Sequence, residues 1–164
     1  MFSIRPARTS DVVEIRAICE PLVEKRILLG KELVELYESI QEFVVAESEG
    51  KVVGCGALHV IWQDLAEVRT VAVDLEHHRH GIGAAILREL LERARLLGIH
   101  RVFCLTFETK FFASHGFEPI SDVPVDPQTY AELVRSNDEG VAEFLDLARV
   151  KQNTLGNTRM LKKL

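Results

Sequence analysis

Apolar and polar positions along this chain follow two rhythms, and their order predicts strands and helices mixed in one domain. Residues 2–7 are a short strand candidate. Thr9, Ser10 and Asp11 then open a helix, with Glu14 three places after Asp11 in capping-box spacing. Val12, Ile15, Ile18, Cys19, Leu22 and Val23 recur at helical spacing, and Pro21 is expected to kink or end that helix. Leu33, Leu36, Tyr37 and Ile40 mark a second helix of the same kind. A hairpin is predicted next, from residues 43–48 through the turn pair Glu49-Gly50 into the apolar run 51–61. Gly54 and Gly56 inside that run point to a bulge or a close backbone approach.

A third strand, 67–73 (EVRTVAV), leads through DLEHHRH into GIGAAILRELLERARLLG, the clearest helix in the chain. Ile82, Ile86, Leu87, Leu90, Leu91, Ala94 and Leu97 form its apolar stripe, and Gly98 is its expected C-terminal cap. Residues 101–107 (RVFCLTF) have the few polar positions of a strand buried on both faces. A short helical piece, 109–114, runs into His115-Gly116-Phe117. Pro124 and Pro127 bracket a loop, 127–135 has helical character, and 158–163 closes the chain as a strand. With no repeat or linker, residues 1–164 read as a single domain.

Composition narrows the classes. At 47% hydrophobic and 27% charged residues the chain is neither disordered nor fibrous. A net charge of −5 argues against a nucleic-acid partner. The longest uncharged apolar stretch, 52–61, is far short of a membrane span, and MFSIRPARTSD has no apolar leader segment. The expectation is therefore a cytoplasmic protein with no membrane partner. Cys19, Cys55 and Cys104 lie far apart in apolar runs and read as reduced core thiols. His77, His78 and His80 come without clustered Cys or carboxylate ligands, so no metal is expected there.

Gly81-x-Gly83, between a β-rich strand and a long helix, is the central feature. Helix-opening amides carry partial positive charge and glycines let an anion approach them. A dinucleotide fingerprint is excluded by Ile86 at its last small-residue position and by the mid-chain location. A Walker-type loop lacks its Gly-Lys-Ser/Thr. A pyrophosphate cradle of the pattern Gln/Arg-x-x-Gly-x-Gly/Ala fits, with His78 in the Gln/Arg place.

With IRPARTSD, VVGCGAL, TVAVD, that cradle and FFASHGF in this order, the chain resembles the GNAT family of acetyl-CoA-dependent N-acetyltransferases. EFVVAE, VVGCGALHV, EVRTVAV, RVFCLTFETKFFASHGF and NTRML are similar to its bacterial N-acetylglutamate synthase branch, most of all to the short form without an amino-acid-kinase domain. The resemblance implies the GNAT fold, a mixed, mostly antiparallel sheet with a central splayed strand pair and flanking helices. It implies acetyl-CoA as cosubstrate and L-glutamate as acceptor. Val71, Ala72 and Val73 would pair with pantetheine, and His78, Arg79, His80, Gly81, Ile82, Gly83 and Ala84 would hold the pyrophosphate. The amide near Val71 would face the oxyanion.

Glu67 matches the place where many members carry a carboxylate base. Lys31, Arg69, Thr106 and Arg159 are the expected acceptor contacts, with Lys25 and Arg26 as substitutes for the cations. One departure stands out: the family often has a tyrosine four places before the Gly of Gly-Phe, and this chain has Phe112. Another amine acceptor, or an acyl-CoA sensor without turnover, remains open at this point. Oligomeric state is not legible, and a homodimer is compatible with the sequence.

Overall fold

The computed structural model describes residues 1–145 and 156–164. The chain divides into two compact units, one formed by Met1–His59 and Val68–Gly98, the other by Val60–Glu67 and Ile99–Leu164. Seven strands are hydrogen-bonded in the order β1-β2-β3-β4-β5-β7-β6. They are β1 (Ser3–Pro6), β2 (Phe43–Ser48), β3 (Lys51–Trp62), β4 (Leu65–Val73), β5 (Arg101–Thr106), β6 (Glu118–Pro119) and β7 (Thr158–Lys163). The helices are α1 (Val12–Glu24), α2 (Leu33–Glu38), α3 (Ile82–Leu96), α4 (Thr109–Ser114), α5 (Pro127–Leu133) and α6 (Glu139–Phe144).

In the first unit β2 pairs antiparallel with β1 and with β3 across the two-residue turn Glu49-Gly50. The period of two then sorts the side chains. Val45, Cys55 and Ala57 join Val12, Ile15, Cys19, Leu36 and Ile40 of α1, α2 and the turn after it in one core cluster. Gly54 and Gly56 face the other way. A Cβ on Gly56 would stand 2.6 Å from Ile86 Cγ2, and one on Gly54 would stand 2.9 Å from Ile82 Cγ2. The glycines are there because α3 lies directly on β3. A register shift between Ala46 and Glu47 adds the expected bulge.

Three local expectations change. Glu14 does not close a capping box with Asp11; it accepts from the Val52 amide. Asp11 instead accepts from Arg8 N at 2.7 Å and from both terminal nitrogens of Arg5, at 2.8 and 3.0 Å. Pro21 does not end α1, which continues to Glu24. Leu97 is 62% exposed and lies outside the buried stripe, because α3 ends one residue before it.

In the second unit β4 and β5 run parallel, with Leu65, Ala66 and Glu67 opposite Arg101, Val102 and Phe103. That ladder stops at Glu67, while β4 itself runs to Val73 and β5 to Thr106. β5 pairs antiparallel with β7, and β7 with β6. Leu65, Phe103, Leu133, Val141, Phe144 and Leu145 form the core here, with the Phe103 and Phe144 rings stacked 4.0 Å apart. The strand expected over 101–107 ends at Thr106, whose hydroxyl accepts from Glu108 N and turns the chain.

Candidate functional site

Within the first unit, the end of β4 is held in an unusual conformation. Thr70 has φ 57°, in the left-handed region, where a β-branched residue is an outlier costing on the order of 1–3 kcal/mol. The Cys55 thiol donates to the Thr70 carbonyl at 3.4 Å, and the Ala72 amide is directed at the same sulfur. One thiol thus grips the backbone on either side of Val71. Beyond it, Asp74 N donates to Val53 O at 2.8 Å. The loop that follows is tied back on itself: His78 Nε2 donates to the Val73 carbonyl at 2.9 Å, and His77 Nδ1 meets the Asp74 carboxylate at 3.1 Å.

That loop delivers α3 with its first amides uncovered. Gly81 is the N-cap, at φ 79°, and has no side chain to cap them. The first main-chain bond into the helix runs from Ala85 N to Gly81 O. The amides of Ile82, Gly83 and Ala84 precede it and lack intrahelical partners. Arg79, at φ 66°, and His80 are exposed just before them. Three convergent N–H groups at a positive helix end, with the Arg79 guanidinium at the rim, suit a diphosphate.

A cleft of about 230 Å³ opens at Thr70 in the same unit. Its walls carry two cations, Arg16 and Lys31, and two carboxylates, Glu20 and Glu32, around Cys19, Val23, Leu29 and Leu36. Arg16, Cys19, Glu20 and Val23 come from one face of α1, at spacings of three and four. A smaller pocket of about 60 Å³, lined by Ile18, Pro21, Leu22, Val73 and Leu75 among others, lies beside the end of β4. Arg69, on β4 next to Thr70, is half-buried.

The second unit holds the remaining expected residues. Glu67 is the last residue of β4 paired with β5 and is 4% exposed. Its charge reaches Cys104 of β5, whose thiol is pushed well up, first by burial and then by that carboxylate. Thr106 is buried and its hydroxyl is engaged in the turn to Glu108. Arg159 on β7 donates to the main-chain carbonyls of Phe144 and Ser121, at 2.9 and 2.7 Å, so the contacts described for it are structural ones. Phe112, where the family often has tyrosine, is buried edge-on to Phe111 and Phe117. Among the described residues no group of three or more His, Cys, Asp or Glu side chains is placed to hold a metal.

Residues 11–117 match the model of the acetyltransferase (GNAT) family. The chain belongs to this family. It is 58% identical over 161 residues to an amino-acid acetyltransferase of Mycobacterium tuberculosis, covering 96% of this chain and 92% of that one. Among solved structures it is similar to Rv2747 of Mycobacterium tuberculosis in complex with CoA and NLQ, with TM-score 0.95, 57% identity and 99% of each chain covered. It is also similar to an N-acetylglutamate synthase of Neisseria gonorrhoeae complexed with coenzyme A and N-acetyl-glutamate, with TM-score 0.79 and 30% identity. All of this chain matches there, but it spans only 35% of that longer protein.

This acetyltransferase therefore uses acetyl-CoA as its cosubstrate, and the uncapped start of α3 has the donors that a CoA diphosphate needs. No helix among the described residues is long and apolar enough to cross a membrane. Sequence reasoning missed Arg16 and Glu20 on the cleft wall. Their spacing with Cys19 and Val23 was the available signal. It also missed the contact between Cys19 and Cys55, whose sulfurs stand 3.8 Å apart, and for that no local signal exists.

Proposed function

We propose that this acetyltransferase moves the acetyl group of acetyl-CoA onto the α-amine of L-glutamate, by direct attack in a ternary complex, with residues 1–164 acting as one catalytic domain. The mixed-charge cleft at Thr70 carries this reading. A free amino acid brings an ammonium and at least one carboxylate, and this cleft offers both Lys31 and Arg16 and both Glu20 and Glu32 within a small volume. The choice of glutamate rests on the relative solved with N-acetyl-glutamate.

The thioester supplies an acyl carbon already activated for attack. The residues of this chain supply position, charge and a proton acceptor. The amides of Ile82, Gly83 and Ala84 take the diphosphate, with Arg79 adding positive charge and His80 a ring beside it. The edge of β4 at Val71, Ala72 and Val73 takes the pantetheine amides as an added strand would. The Val71 amide faces the oxygen on which charge develops. Lys31 and Arg69 pair with the acceptor carboxylates. Glu67, three residues before Thr70 on β4, removes the proton from the incoming ammonium, which has no lone pair until then. Phe112 cannot donate a proton, so the thiolate, a modest base, leaves unassisted or takes a proton from water. Arg159 and Thr106, the other expected acceptor contacts, are engaged within the second unit, with the Phe144 and Ser121 carbonyls and with the turn after β5.

The test is release of CoA thiol by the purified protein with acetyl-CoA and a panel of amino acids and polyamines. Glutamate-dependent release supports the proposal, and release only with another amine reassigns the acceptor. Intact CoA binding without any release supports the sensor that Phe112 favours. Lys31→Ala is expected to raise the glutamate KM roughly tenfold, the scale of one lost charge-assisted hydrogen bond, with little change in the acetyl-CoA KM.

A further inference from the structure

Cys19 on α1 and Cys55 on β3 come from elements 36 residues apart in sequence, yet their sulfurs are 3.8 Å apart. Cys19 lines the cleft at Thr70, so a small solute reaches it. Cys55 is fully buried behind it and holds the Thr70 carbonyl. We propose that Cys19 and Cys55 form an oxidisable dithiol, and that closing it to a disulfide releases the grip on β4 and lowers acetyl transfer. The regulatory half of this rests on the acceptor cleft proposed above; the chemical half does not.

The two thiols are unequal in the way such a pair requires. The contact with Cys55 lowers the Cys19 thiol from its ordinary value and Lys31 adds to this, against burial and Glu20, while the same contact and burial raise Cys55. Cys19 lines the cleft and Cys55 is fully buried behind it, so Cys19 is the thiol that meets the oxidant and Cys55 the resolving thiol. With hydrogen peroxide as the oxidant, the Cys19 thiolate attacks one peroxide oxygen. The O–O bond breaks, hydroxide leaves to become water, and Cys19 becomes a sulfenic acid, oxidised by the two electrons that reduce the peroxide. The Cys55 sulfur then attacks the sulfenic sulfur. An S–S bond forms, the S–O bond breaks, and the hydroxyl departs as water with the Cys55 proton. Two thiols and one peroxide give one disulfide and two waters.

The bond needs the sulfurs to close from 3.8 Å to about 2.05 Å, by side-chain rotation or a local shift of α1 and β3. Once oxidised, Cys55 has no S–H to donate, and the Thr70 carbonyl loses its partner. Val71 then loses its fixed place, and the geometry of transfer suffers more than the binding of CoA at α3.

Trypsin cuts this chain so that each cysteine lies on its own peptide: residues 17–25, 52–69 and 102–110. Full-length protein is treated with peroxide, alkylated and digested without reduction. The expected product is a cross-link between 17–25 and 52–69, lighter than the two peptides by two hydrogens, with Cys104 still alkylated. Acetyl transfer is expected to fall roughly tenfold or more and to return with dithiothreitol, while CoA affinity holds. Cys19→Ser and Cys55→Ser are each expected to lose the peroxide response, and Cys104→Ser to keep it. Free, alkylated Cys19 and Cys55 after peroxide, or Cys19 sulfinic acid without a cross-link, overturn the dithiol. A cross-link with unchanged turnover overturns the regulation. The cross-link is read by mass whether or not glutamate is the acceptor, so the two readings fail separately.

Discussion

Gly81→Ala isolates what the start of α3 contributes. A Cβ on Gly81 would meet no atom within 4 Å, so bulk is not the issue. The whole effect comes from φ 79°, which an L-residue with a Cβ adopts at a cost of roughly 1–2 kcal/mol. The alanine chain also has less unfolded-state freedom to lose, worth about 0.4–1 kcal/mol in the other direction. The net is a destabilisation of about 1 kcal/mol, or about 2–4 °C in Tm for a chain of this size. If the backbone instead relaxes out of the left-handed region, the Ile82, Gly83 and Ala84 amides lose their common aim. CoA binding, measured by calorimetry, is then expected to weaken about tenfold, equivalent to about 1.4 kcal/mol. Asparagine tolerates this conformation, so Gly81→Asn is expected to recover most of both losses, and Gly81→Val to deepen them. If Gly81→Ala keeps both Tm and CoA affinity, or Asn falls as far as Val, the reasoning is wrong.

Glu67→Gln is expected to lower kcat by about 10²–10⁴ and to remove the acidic limb of the pH–rate profile, with CoA affinity retained; an unchanged profile excludes Glu67 as the base. Gly54→Ala and Gly56→Ala each force a methyl against α3 and are expected to cost roughly 1–3 kcal/mol in denaturant unfolding. Only Gly54→Ala, whose methyl also comes 3.3 Å from the Ala72 carbonyl, is expected to weaken CoA binding beyond that stability loss. Asp11→Asn breaks a mostly buried pair with Arg5 and is expected to cost about 3 kcal/mol at neutral pH. The Arg5 hydrogen bonds hold the Asp11 carboxyl below its ordinary value, so its stabilisation is present above about pH 4 and is lost as pH falls through the lowered value. Wild-type stability is therefore expected to fall below pH 4 more steeply than that of the variant, and parallel acid limbs would contradict this.

The elements that could be read from the chain were those whose signal is local. The stripe of α3, the Glu49-Gly50 hairpin and the closing strand over 158–163 depend on periodicity and turn chemistry, and each appears at or near its expected bounds. Asp11 and Glu14 have the right residue types for a capping box, but tertiary donors on β1 and β3 claim both carboxylates. β6 has only two residues, too few for a pattern, and Gly140 masks α6, although Asp138 caps it by accepting from Val141 N. In the candidate site, Gly81 and the three amides after it could be expected from residue type. The strained Thr70 could not, because a threonine inside a β-rich run signals an ordinary strand. Nor could the Cys19–Cys55 contact, since sequence distance carries no information about two elements packed face to face.

The glycines of β3 and the strain in β4 are two parts of one arrangement. Gly54 lies with Ile82, the first residue of α3, on one side and the Ala72 carbonyl 3.3 Å from its absent Cβ. Through that single residue the helix end proposed to offer amides to an anion is brought close to the strand proposed to offer amides to a thioester. Any side chain there would separate them. Cys55, the next residue, points to the opposite face and holds Thr70 and Ala72 from behind. Two consecutive residues of β3 thus fix both the distance and the twist of the segment from Thr70 to Val73, from opposite faces of the sheet. A strained conformation persists only where its surroundings over-determine it, and here those surroundings are Gly54 on one face and a thiol on the other. Oxidation changes only the second of these constraints. It is for this reason that the proposed dithiol alters transfer geometry while the start of α3, the proposed diphosphate site, stays in place.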